Sequence, residues 1–340
     1  MIALLVISLV FSAYGAEYSD KFARMLLPLS SAAYVDNPWM CLALHFPKSV
    51  MQRQITIDCG KKTTCSGFTA VLHSHKAIAV SFRGTTDNLQ LLDEAIKSII
   101  NSWIDWPYGG MVSKYFYDAF MKIWENGMNE DIKFLRAQYP KGTTDNLQLL
   151  DEAIKSIINS WIDWPYGGMV SKYFYDAFMK IWENGMNEDI KFLRAQYPRY
   201  EVWVTGHSLG GAIASLAAHY LVGSGLVNSK NLKLITLGQP RTGDKEFAKN
   251  HTAAIDYSFR VTHWRDVVPH IPSFDERPGG YYHHKTEVFY KEGMAPNDYI
   301  VCKEYEDFKC SDGLWVHTSI KNHIKYFGKV IRDWGTAGCL

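Results

Sequence analysis

Val202-Trp203-Val204-Thr205-Gly206-His207-Ser208-Leu209-Gly210-Gly211-Ala212 decides how this chain folds. It opens on a short apolar run, as a buried strand would. Residues 212–222 are rich in alanine and leucine, which favours a helix. Between the two, Ser208 has Gly206, Gly210, Gly211 and Ala212 around it. A serine in the sharp turn from strand to helix is held up as an exposed nucleophile, and such a turn admits only small neighbours. The helix N-terminus behind it stabilises developing negative charge. A bare Gly-x-Ser-x-Gly is a weak pattern; the strand before it and the helix after it make it specific.

Three more apolar runs have strand character. Residues 77–82 end at Arg83-Gly84, residues 232–237 are followed by Gly238 and Pro240, and residues 258–262 form the last. Strands alternating with helical stretches imply βαβ units, hence an α/β chain with a mainly parallel central sheet and helices on both faces. Active sites in such sheets lie beyond the carboxyl ends of the strands. A serine nucleophile there needs a base, and the base needs an orienting carboxylate, in the chain order Ser, Asp or Glu, His. Asp266 stands just past the 258–262 run and is the leading carboxylate; Asp244 and Asp275 lie in turn or loop sequence. For the base, His283, His284, His317 and His323 all lie downstream, and spacing does not choose among them.

The bulk properties narrow the function. The chain has 340 residues, 47% of them apolar, and a formal net charge of +1. That charge gives no electrostatic footprint for nucleic acid. Residues 2–11 are apolar apart from Ser8, and Ala13-Tyr14-Gly15 offers small residues for cleavage. Residues 1–15 are therefore expected to be a signal peptide, too short to span a bilayer, with the cut after Gly15 or Ala16. Residues 16–340 are expected to form one domain. Cys41, Cys59, Cys65, Cys302, Cys310 and Cys339 all follow the leader, an even number that reads as disulfides in an oxidising compartment. No Cys-x-x-Cys or His-x-x-x-His pair argues for a metal. Asn250-His251-Thr252 is a sequon for N-glycosylation, consistent with secretion.

Residues 84–140 recur letter for letter as residues 142–198. Solenoids need several stacked and divergent units, so two identical copies read as a tandem duplication inside one domain. Selection on packing would make copies in different environments diverge. Their identity points to a very recent duplication or an error in the gene model.

The chain resembles the class 3 (fungal-type) lipases of the α/β-hydrolase superfamily. The matching residues are Ser81-Phe82-Arg83-Gly84-Thr85, the segment around Ser208, Gly238-Gln239-Pro240-Arg241-Thr242-Gly243, the Asp266 segment, Gly280-Tyr281-Tyr282-His283 with Glu287, and Asn322-His323-Ile324-Lys325-Tyr326-Phe327. The resemblance implies Ser208, Asp266 and His323 as the catalytic triad and makes His283 non-catalytic. The backbone N–H of Leu209, the residue after the nucleophile, is one expected oxyanion donor; the resemblance adds Thr85 rather than its twin Thr143. It also implies an amphipathic lid, for which Leu89, Leu92, Ile96, Ile99, Ile100 and Trp103 have the helical spacing. Tyr115 departs from the family, which has glycine before the phenylalanine. Cys59–Cys65 and Cys302–Cys310 are expected as local disulfides, with Cys41–Cys339 clamping the ends, an arrangement the resemblance supports.

The expected function is hydrolysis of acylglycerol esters at a lipid–water interface, without cofactor or metal. Phospholipase A1 and feruloyl esterase activity are the alternatives within the class. A non-catalytic secreted lipid-binding protein is the alternative outside it.

Overall fold

The computed structural model describes residues 16–60, 63–84, 103–105, 111–113, 160–272, 274, 280–314, 317 and 319–340. In chain order the main elements are α1 (Asp20–Ala32), β1 (Ser49–Gly60), β2 (Thr63–Leu72), β3 (Ala77–Phe82), α2 (Lys172–Ile181), α3 (Asn187–Gln196), β4 (Glu201–His207), α4 (Leu209–Gly223), β5 (Leu232–Leu237), α5 (Lys245–Ala254), β6 (Ser258–His263), β7 (Glu287–Tyr290), β8 (Tyr299–Cys302) and α6 (Ile320–Ile324).

The eight strands form one sheet in sequential order, β1 to β8. β3 through β7 run parallel, while β1, β2 and β8 add antiparallel edges. The continuous apolar runs have a simple cause: the sheet is covered on both sides. Ile78, Val80, Phe82, Val202 and Val204 enter one core; Ala77, Ala79, Trp203, Ile235 and Leu237 enter the other. A strand buried on both faces has no polar face to alternate with. α1 packs in the second core, capped at its start by Ser19, whose Oγ accepts the Phe22 N–H at 3.2 Å. α4 lies in the first and is buried along almost its whole length, as a helix apolar on every side must be.

The second copy of the duplicated segment supplies α2 and α3. Trp164, Val170, Phe174, Phe178 and Trp182 are buried against α4 and the sheet. A two-stranded ladder, Trp161–Asp163 with Met169–Ser171, leads into α2. The same ladder occurs 58 residues earlier, as Trp103–Asp105 with Met111–Ser113. Trp103 therefore opens a strand rather than ending the helical stripe expected from residue 89 onward. The rest of that stripe, Tyr115 and the leader at 1–15 lie outside the described residues.

Three disulfides are present. Cys41–Cys339 joins the short helix Trp39–His45 to the last residues of the chain, Cys59–Cys65 ties β1 to β2, and Cys302–Cys310 closes a loop after β8. Asn250 sits inside α5, and its amide donates to Glu246 O at 2.9 Å. No helix among the described residues is long and apolar enough to cross a membrane.

Candidate active site

Ser208 is the single residue between β4 and α4, with φ 60° and ψ −131°. A non-glycine residue at positive φ is strained and persists only where its surroundings enforce it. Here the Ser208 N–H donates to Leu237 O at 2.9 Å, and Ser208 O accepts from Gly211 N–H at 2.8 Å. A Cβ on Gly206 or Gly210 would strike main-chain carbonyls at Gly210 or Phe82, so the turn tolerates neither side chain. Leu209 is the first residue of α4, and its N–H is among those a helix leaves without an internal partner.

Asp266 follows β6 in a short turn, and its N–H donates to His263 O at 2.9 Å. A parallel bridge from Asp266 to Ser319 brings up the start of α6, where the Ser319 N–H donates to Arg265 O at 3.0 Å. Ser319 then caps α6 through its Oγ. This connection delivers His323 to Asp266 across 57 residues of sequence: Nδ1 lies 3.0 Å from both Oδ1 and Oδ2. Tyr326 Oη donates to Oδ2 at 2.6 Å, and Val268 N–H donates to Oδ1 at 2.9 Å. Burial alone would push the Asp266 carboxyl up. The His323 ring, the Tyr326 hydroxyl and the Val268 N–H outweigh it and hold the group below the usual carboxylate range. His323 Nε2 is buried and has no hydrogen-bond partner among the described residues.

Gly238, at φ +58° after β5, makes room for this pair. A Cβ there would come within 2.9 Å of Asp266 Oδ2 and 3.0 Å of His323 Nδ1. His207, next to Ser208, stacks on the His323 ring with centroids 4.6 Å apart. The serine turn, the carboxylate and the imidazole thus share the carboxyl ends of β4, β5 and β6.

The other histidines face elsewhere. His283 Nε2 lies 2.7 Å from Pro269 O, and His284 Nδ1 lies 2.9 Å from Lys285 O. His317 stacks on His270, which pairs with Asp312 at 3.0 Å. Asp244 caps α5, its Oδ1 accepting the Phe247 N–H at 2.8 Å. Asp275 and Thr85 lie outside the described residues. Tyr326 stood in the quoted Asn322–Phe327 motif, but spacing gave no sign that its hydroxyl reaches Asp266. The need for a glycine at 238 was equally invisible.

Comparison with known proteins identifies the family. The family model Lipase (class 3) matches residues 140–276, which include the second copy and the segments of Ser208 and Asp266. Lipase ZK262.3 of Caenorhabditis elegans is 31% identical over 374 aligned positions, covering 100% of this chain and 88% of that protein. The lipase of Rhizomucor miehei is 38% identical over 167 residues, covering 48% of this chain and 44% of that protein. A solved triacylglycerol lipase, described as having a serine protease triad at its catalytic centre, superposes with a TM-score of 0.62. It is 23% identical, covering 94% of this chain and 98% of that one, a likeness of fold. The chain belongs to the class 3 lipase family, within the α/β-hydrolase superfamily.

Proposed function

We propose that this chain is a secreted lipase that hydrolyses acylglycerol esters through Ser208, Asp266 and His323. One observation carries the reading: His323 is hydrogen-bonded to Asp266 through Nδ1 and keeps a buried Nε2 with no partner among the described residues. An imidazole so oriented is a base waiting for a proton. As Ser208 Oγ attacks the ester carbon, Nε2 takes the serine proton. The carbonyl π electrons move to oxygen, and the N–H of Leu209, with Thr85, receives the oxyanion. Collapse expels the alcohol, which takes the proton back from Nε2. Water then repeats the sequence on the acyl-enzyme and releases the fatty acid. Asp266 holds the Nδ1–H tautomer and stabilises the imidazolium.

The substrate class rests on the relatives, two named lipases and one triacylglycerol lipase. Secretion rests on the apolar residues 2–11 and on three disulfides, which persist in oxidising compartments. A leader at 1–15 followed by one domain at 16–340 fits both.

A fluorophosphonate probe is expected to label the purified protein and to leave Ser208→Ala unlabelled. On a panel of triacylglycerol, phospholipid and feruloyl esters, turnover should be fastest on the acylglycerol. Preference for another ester would revise the substrate class. Absence of labelling would favour the lipid-binding alternative.

A further inference from the structure

His207 is buried beside the nucleophile, yet none of the steps above uses it. Both of its ring nitrogens are engaged. Nε2 lies 2.8 Å from the main-chain oxygen of His323, and Nδ1 lies 2.7 Å from Tyr34 Oη. A carbonyl only accepts, so Nε2 carries the proton. In the neutral ring Nδ1 is then a lone pair, and the Tyr34 hydroxyl must donate to it. Burial, with His323 facing it, pushes the His207 pKa down to about 3, and burial pushes the Tyr34 phenol up. The ring is therefore neutral and the phenol protonated at neutral pH.

The partner of that Nε2–H is a carbonyl that needs one. α6 has only five residues, and the last carbonyls of a helix have no partner inside it. His207 satisfies the His323 carbonyl from the end of β4. His263 Nδ1, from the end of β6, lies 2.9 Å from the neighbouring Asn322 carbonyl. The short helix that bears the base is thus fastened by its main chain to the end of β4 through His207. Tyr34 reaches further: the Gly84 main chain hydrogen-bonds the phenol, and a Cβ on Gly84 would overlap it. Gly84 precedes Thr85 in the chain.

We infer that His207 is a positioning residue for His323: its Nε2–H tautomer holds the main chain of the base, and Tyr34 locks that tautomer. The inference rests on the triad reading above. Without the Tyr34 hydroxyl, the proton of His207 can move to Nδ1, leaving two lone-pair atoms face to face at the His323 carbonyl.

The test is a double-mutant cycle on a soluble short-chain ester. Tyr34→Phe is expected to lower kcat about tenfold with little change in KM, less than the roughly 10²-fold that a 1 Å misplacement can cost. His207→Leu should lose at least as much. His207→Gln keeps an N–H near the position of Nε2 and has no tautomers, so it should recover most of the loss. In the His207→Gln background Tyr34→Phe should then cost little, because its work is already done. Tyr34→Phe with unchanged kcat, or with the same cost in both backgrounds, overturns the inference. Should His207→Gln fail to fold, the imidazole ¹⁵N shifts of His207 in the unaltered protein decide. A lone-pair signal at Nδ1 supports the inference, and one at Nε2 overturns it. Turnover surviving in Ser208→Ala would instead sink the triad reading, and the ¹⁵N result would stand apart from it.

Discussion

The His323 imidazole meets the Asp266 carboxylate edge-on, with Nδ1 3.0 Å from each of its two oxygens. This contact, together with an Nε2 that has no partner among the described residues, marks His323 as the base among the four downstream histidines. Asp266→Asn preserves the shape but offers an amide that can donate, which favours the wrong imidazole tautomer. Replacement of the orienting carboxylate in triads of this kind costs roughly 10⁴-fold in kcat. The same order of loss is expected here on a soluble ester, with far-UV circular dichroism unchanged. A loss of less than tenfold would rule out Asp266 as the orienting group.

Tyr326 adds a donor to that carboxylate that the triad logic does not require. Tyr326→Phe leaves Asp266 with His323 and the Val268 N–H. A hydrogen bond to a charged group contributes about 1.5–3 kcal/mol, so the variant should unfold at lower denaturant concentration. The Asp266 pKa should rise, read directly from the pH titration of its carboxyl ¹³C shift. An unmoved Asp266 titration would mean that the hydroxyl does not act on the carboxylate.

The central strands were legible for a physical reason. Residues 77–82 and 232–237 are buried on both faces almost throughout, so they are mainly apolar, with Ser81, Lys233 and Thr236 as the exceptions, and they match β3 and β5 at both ends. β1 was not legible: Gln52, Arg53, Thr56 and Asp58 break its apolar pattern because the strand is an exposed edge. β7 and β8 are four residues each, too short for periodicity to register. In the site, Ser208 could be read locally, since the turn, the glycines and the helix are all adjacent to it. His323 could not, because its partner is 57 residues away and the link is a single bridge, Asp266 to Ser319. The family resemblance filled that gap. The tie from His207 through Tyr34 spans 173 residues and leaves no trace in spacing.

Acid should unfold this protein early. Burial pushes the pKa values of His207 and His284 down to about 3 and that of His219 to about 4; His251 and His283 are also held well below the ordinary value. All five are neutral in the fold, while the unfolded chain titrates them near 6.5. Below that pH the unfolded state binds more protons, so stability falls as pH falls from about 6.5 toward 4 and 3. The slope is about 1.4 kcal/mol per pH unit for each extra proton taken up. Above pH 7 these groups contribute no slope. Asp266, with its lowered pKa, adds a separate loss only below about pH 4. Urea midpoints that stay flat between pH 7 and 4.5 would contradict this.

The sequon at Asn250 is expected to carry no glycan in the folded protein. Its Nδ2 donates to Glu246 O at 2.9 Å, and the Thr252 hydroxyl donates to Ala248 O while accepting the Lys285 N–H. Gly167 also packs against the Asn250 amide. A sugar on Nδ2 would have to break these contacts. The intact mass of protein expressed through a eukaryotic secretory pathway should be unchanged by peptide N-glycosidase F. A shift of one core glycan would show that α5 tolerates the attachment.

The duplication gives the sharpest test of how much of this chain the domain needs. One slot between α4 and the sheet is filled by Trp164, Phe174, Phe178, Trp182 and their neighbours from the second copy. Each has an identical counterpart 58 residues earlier, at Trp106, Phe116, Phe120 and Trp124. Side-chain chemistry therefore cannot distinguish the copies; only connectivity can. Copy two runs directly into β4 through Tyr197, Pro198 and Tyr200, and Arg194 Nη1 donates to Tyr200 O at 2.6 Å to hold that junction. Copy one would reach the same slot at little extra cost in loop closure, about 0.6 kcal/mol per doubling of loop length. Removing residues 84–141 joins Arg83 to Gly142 and restores Gly-Thr after β3; removing 142–199 joins Lys141 to Tyr200. Each deletion leaves one complete copy and a basic residue at the joint. Both variants are expected to match or exceed the full chain in melting temperature and in turnover of a soluble ester. If both lose activity while the full chain works, the two copies hold distinct and necessary places, and the slot described here is only half of the account.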